Sequence, residues 1–135
     1  MKKLLKFVAL SLCLVILLGT IASPIASASP PPYTNINFIA YYFDISSSTG
    51  KVTVSSTVDA RNCTAIHQKL ELQHKNSNGG WDTELSSTYY TSGDWSYFAP
   101  SGWYVSKSGY QVAITVTIYN GSSIEEQVTV YTYEK

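Results

Sequence analysis

Cysteine is nearly missing from this chain. Of 135 residues only Cys13 and Cys63 are cysteine, and Cys13 lies inside an N-terminal apolar run, so no internal disulfide is expected to staple the fold. Stability has to come from packing and from sheet hydrogen bonds. Histidine is as scarce: His67 and His74 are the only two, whereas a zinc site draws three or four ligands from Cys, His and acidic side chains. Seven residues apart, the pair falls on opposite faces of a strand, so joint metal coordination is not expected. No cofactor motif is present either. Concentrated positive charge is also lacking. Beyond residue 28 the basic residues are Lys51, Arg61, Lys69, Lys75, Lys107 and Lys135, six against nine acids. They are scattered, which excludes a phosphate-neutralising patch for nucleic acid and a polybasic mode on a membrane surface.

What the sequence does contain begins with an export signal. Lys2, Lys3 and Lys6 precede an apolar stretch from Phe7 to Leu18, interrupted only by Ser11, and the small-residue triplet Ala26-Ser27-Ala28 follows. This is the charged, apolar and small-residue pattern that signal peptidase reads. Residues 1–28 are expected to be cleaved, leaving about 107 residues, enough for one core. The apolar run falls short of the roughly 20 residues of a membrane span, and Gly19, Thr20, Ser23 and Pro24 follow it. The processed protein is therefore expected to be secreted or held at the cell surface without a transmembrane anchor. Residues 29–34, with Pro30, Pro31 and Pro32, read as a stiff tether, and residues 35–135 read as one domain.

Within that domain the dominant period is two. Val52, Val54, Ser56 and Val58 alternate with Thr53, Ser55 and Thr57, and Tyr110, Val112, Ile114, Val116 and Ile118 alternate with Gln111, Ala113, Thr115 and Thr117. A helix would wind these apolar positions around its whole circumference, whereas a strand keeps them on one face. Asn37 to Ile45 is dense in aromatic and β-branched residues, with Phe38, Ala40 and Tyr42 on one side and Ile39, Tyr41, Phe43 and Ile45 on the other. Ile66 to Lys75 carries some helix formers, but its Leu70 and Leu72 spacing favours a strand. That strand ends at the turn Asn76-Ser77-Asn78-Gly79-Gly80, so Trp81, Thr83 and Leu85 are expected to point inward on the returning arm, with Asp82 and Glu84 in water. Asn120-Gly121 predicts a second tight turn, and Glu125 to Tyr133 the last strand. Six to eight strands without a helix predict an all-β fold, an immunoglobulin-like antiparallel β-sandwich, with a small β-barrel as the alternative closure.

Several segments carry a resemblance. The lysine-led signal, Asp44 through Val52, Leu70 through Lys75 with Gly80-Trp81, and Ser108 through Val112 resemble small secreted immunoglobulin-like β-sandwich proteins of Gram-positive bacteria. The shared features include a glycine-tyrosine pair, here Gly109-Tyr110, at the start of a long penultimate strand. The resemblance implies a scaffold over nearly the whole mature chain. It transfers no activity to any numbered residue.

Candidates for chemistry are few. Asp82 and Glu84 lie at a strand spacing of about 7 Å, within the range of a glycosidase pair, but a solvated outer face explains them without one. Glu125 and Glu126 are merely adjacent. Asp44, Asp59, Asp82 and Asp94 could offer oxygens to calcium, though without an aspartate-rich loop. Asn62-Cys63-Thr64 and Asn120-Gly121-Ser122 match a glycosylation sequon. Cys63 is expected as a buried thiol or as the link of a disulfide-bridged dimer; a catalytic thiol would need more than His67 four residues away.

The feature that stands out is aromatic. Tyr89, Tyr90, Trp95, Tyr97, Phe98, Trp103 and Tyr104 crowd into one poorly periodic stretch. Some must fill the core, Trp81 and Trp103 being candidates. The others can stack on sugar rings or anchor a protein interface. The expected binding residues are Asp94, Trp95, Tyr97, Trp103 and Tyr104. The expectation is a non-enzymatic exported binding or interaction domain whose partner is an extracellular glycan or envelope protein. The rival classes are a secreted toxin, antimicrobial or self-associating protein, for which an unprotected edge strand or a large apolar patch would be the mark, and an envelope-active hydrolase.

Overall fold

The computed structural model describes residues 26–27, 33–106 and 108–135. The expected leader up to Ile25, together with Ala28 and the three prolines of the tether, lies outside the described residues. Among the described residues eight strands follow in order: β1 (Ala26–Ser27), β2 (Ile36–Ile45), β3 (Val52–Ala60), β4 (Ala65–Lys75), β5 (Trp81–Ser92), β6 (Trp95–Phe98), β7 (Tyr110–Asn120) and β8 (Ser123–Tyr131). They form two four-stranded sheets, β1-β2-β3-β6 and β5-β4-β7-β8, antiparallel throughout. No helix occurs among the described residues. The fold is all-β, with two sheets packed face to face rather than one closed barrel.

The alternating apolar residues decide which faces meet. Ile39, Tyr41 and Phe43 of β2 and Val52, Val54 and Val58 of β3 point from the first sheet into the core. Ile66, Leu70 and Leu72 of β4 and Val112, Ile114, Val116 and Ile118 of β7 point back from the second, all fully buried. Each such side chain contributes about 1.5–3 kcal/mol when removed from water. Turns occur where the chain supplies turn residues. Gly50 at φ 68 and Gly121 at φ 60 adopt the left-handed backbone open to glycine.

The returning arm β5 departs from the expected alternation. Leu72 faces Leu85, but Gln73 faces Thr83, so Glu84 is an extra residue in a β-bulge. One inserted residue moves everything beyond it to the other side of the sheet. Leu85 points inward as expected, whereas Thr83 and Trp81 do not. Trp81 lies half-buried on the outer face, with Lys75 Nζ 5.7 Å from its ring centroid. Asp82 and Glu84 are both exposed, as expected, and each is held by a different donor. Glu84 accepts a hydrogen bond from Tyr110, and Asp82 accepts one from Asn76.

Candidate functional site

The chain crosses from the second sheet to the first at Gly93-Asp94, and this crossing sets the orientation of the aromatic segment. The amide of Gly93, at φ 97, donates to Thr64 O, and the amide of Ala60 donates to Asp94 O at 2.8 Å. These two bonds fix the start of β6 beside the end of β3. From there Trp95 faces Asp59, Ser96 faces Val58, Tyr97 faces Thr57 and Phe98 faces Ser56. Because Val58 and Ser56 point into the core, Ser96 and Phe98 do so too. Trp95 and Tyr97 point out, and both are more than half exposed, at 55% and 51%.

Their neighbours on the outer face come from β3 and β2. Asp59 is flanked by Trp95 on one side and Phe38 on the other, and strands about 4.8 Å apart put these two rings roughly 10 Å from each other across it. Phe38 is itself 43% exposed. Asn37 Nδ2 donates to Asp59 Oδ2 at 2.9 Å, which holds the carboxylate in place between the rings. Thr57 lies beside Tyr97 and, on the β2 side, opposite Ala40. The arrangement is a carboxylate and a hydroxyl interleaved with three exposed rings on a strand-borne surface.

Sequence reasoning placed Trp95, Tyr97 and Asp94 in this region, and all three are exposed. Tyr104 is exposed as well, but it pairs with Lys51 at the far end of β3. Lys51 precedes Thr57 by six positions, about 20 Å of extended chain, so Tyr104 is remote from Trp95 and Tyr97. Trp103 is a correction: expected in the exposed patch, it is only 6% exposed and belongs to the hydrophobic core. Val52 donates its amide to Trp103 O, which continues the pairing along β3. Trp103 and Tyr104 therefore take opposite sides, and the indole enters the sandwich. Phe38, Thr57 and Asp59 were not recognised as site residues, because their proximity to Trp95 and Tyr97 arises from strand pairing across long stretches of sequence.

Cys63 also corrects an expectation. The disulfide-linked dimer through this residue is overturned: Cys63 is a free, half-buried thiol with no second cysteine near it among the described residues. Its Sγ donates to Gly93 O at 3.5 Å. Burial pushes its pKa up, and the carboxylates of Asp94 and Asp59 push it further. Both effects disfavour the thiolate that disulfide exchange requires.

The two histidines separate as their spacing requires. His67 lies on the outer face of β4 beside Tyr90. His74 packs against Tyr110 with ring centroids 4.7 Å apart. No group of three or more potential metal ligands occurs among the described residues. Comparison of the chain with protein-family models, curated proteins and solved structures finds no match in any of the three.

Proposed function

We propose that this is an exported, non-enzymatic recognition domain that binds a neutral glycan of the cell envelope on the outer face of β2, β3 and β6. The observation that carries the reading is the position of Asp59, held by Asn37 between the exposed rings of Trp95 and Phe38, with Tyr97 and Thr57 alongside. Sugar rings present apolar C–H faces and a periphery of hydroxyls. Aromatic faces match the former, burying large area at small entropic cost, and a fixed carboxylate accepts from the latter with a charge-assisted hydrogen bond. The same carboxylate, and the excess of acids in the processed chain, disfavour acidic polymers. Export itself is the reading of the lysine-led leader.

The strand order supports a finer reading of the fold as immunoglobulin-like. Setting β1 aside, the first, second and fifth of the remaining strands share one sheet and the others share the second. The chain passes between sheets after β3, β5 and β6, as in a Greek key.

The test uses protein purified after export, as processed by the host, and insoluble preparations of neutral envelope polysaccharide. The parent is expected to be retained, and a Trp95→Ala/Tyr97→Ala variant to lose affinity at least tenfold with its far-UV dichroism unchanged. Equal retention of both proteins would overturn the reading. So would a parent that ignores the polysaccharides and binds an envelope protein instead.

A further inference from the structure

We propose that the free edge of β5 pairs with β5 of a second copy of this chain, giving a non-covalent two-fold dimer with a continuous eight-stranded sheet. β5 is twelve residues long and lies at the margin of its sheet. From Leu85 to Ser92 it carries no charge, no proline and no glycine. Proteins blunt edge strands with such residues, or by shortening or covering the strand, because an open row of amides and carbonyls is a template for pairing. The other margins are protected in these ways. β2 carries an irregularity near Asn37 and an acid at Asp44, β6 has four residues and is followed by Pro100, and β8 carries Glu125 and Glu126.

The core is also incomplete at this margin. From Ile66 to Leu72 of β4 and from Val112 to Ile118 of β7 the inward side chains are fully buried, yet Tyr89, which faces Gln68 on the inner side and stacks on Phe98 with centroids 5.3 Å apart, remains 43% exposed. Leu85 and Ser87, also inward, are only half-buried. A second β5 would lie beside them. Antiparallel self-pairing centred on Ser87 sets Leu85 against the second copy's Tyr89 and Ser86 against its Thr88, and it brings no two acids face to face. Such an isologous contact closes at two subunits. Its axis is perpendicular to the sheet, so the outer faces bearing Trp95 and Tyr97 in both copies point to the same side. That consequence rests on the glycan reading, and it supplies avidity for a polymer; the pairing itself does not depend on it.

The experiment is sedimentation equilibrium of the exported protein across micromolar concentrations, with reductant present, beside a Ser86→Lys/Thr88→Lys variant. Both substitutions lie on the exposed outer face of β5, so folding is retained, while the proposed register sets lysine against lysine. The parent is expected to sediment at twice the chain mass, with its β5 amides protected from hydrogen exchange as concentration rises, and the variant as a single chain. A monomeric parent, or a variant that dimerises as the parent does, would overturn the pairing. The readout contains no glycan, so its failure is distinct from failure of the recognition reading. If both hold, the variant binds a short oligosaccharide like the parent and a polysaccharide more weakly.

Discussion

The hydroxyl of Tyr110 donates to Glu84 Oε2 at 2.8 Å, joining the first residue of β7 to the bulge that breaks the alternation of β5. His74, packed on the Tyr110 ring, has its Nδ1 3.9 Å from the other oxygen of the same carboxylate. Burial, then the hydrogen bond to Glu84 and its charge, push the Tyr110 pKa up to about 12 from 10.0. The folded state therefore favours the neutral phenol. The contribution is complete below pH 10 and is lost as pH rises from there through about 12. Ultraviolet titration is expected to show a late-ionising tyrosine, missing in Tyr110→Phe. That variant should lose about 1 kcal/mol, since the partly exposed Glu84 can rehydrate, or roughly 4–8 °C in melting temperature for a domain of this size.

The two tryptophans of the aromatic segment should respond oppositely to truncation. Trp103 is buried in the core, and Trp103→Ala is expected to cost about 3–5 kcal/mol through lost transfer energy and the cavity left behind. Trp95→Ala, on the outer face, should stay within about 0.5 kcal/mol of the parent. Urea denaturation followed by far-UV dichroism measures both, and equal losses would contradict the assignment of one ring to the core and the other to the surface.

A polar cluster inside the sandwich allows a test by sign. Gln68, fully buried, donates from Nε2 to Ser96 Oγ at 2.8 Å, and Ser96 Oγ lies 2.9 Å from Thr91 Oγ1. Ser96→Ala strands the Gln68 amide, an expected loss of about 1–3 kcal/mol. Ser56 Oγ is buried and finds no partner among the described residues. Ser56→Ala should therefore be neutral or stabilising by up to about 1 kcal/mol. Chemical denaturation of the two variants should move the midpoint down for the first and not for the second.

Cys63 should behave as a shielded thiol. Burial and two nearby acids disfavour its thiolate, so labelling by an aromatic disulfide reagent at pH 8 is expected to be slower in the folded protein than after denaturation. Non-reducing and reducing electrophoresis should give one band at the mass of a single chain. Rapid labelling at the rate of a small free thiol would show that the Gly93 contact and the surrounding burial do not shield it.

The sequence by itself determined that β3, β4 and β7 exist and which of their faces turn inward. Alternation of Val52 with Thr53, or of Ile114 with Thr115, is local, and a strand converts it directly into two faces of different polarity. With Cys63 the one cysteine beyond the expected leader, the scarcity of cysteine likewise left no internal disulfide to expect. The tertiary structure decided what depends on two or more strands at once. The bulge at Glu84 sent Trp81 and Thr83 to the outer face, because register belongs to a pair of strands and not to one. The resumed pairing along β3 put Trp103 inside and Tyr104 outside, a choice that no periodicity in that irregular stretch encodes. Only sheet order brought Phe38, Asp59 and Trp95 together, residues far apart in the chain whose proximity follows from hydrogen bonding across β2, β3 and β6.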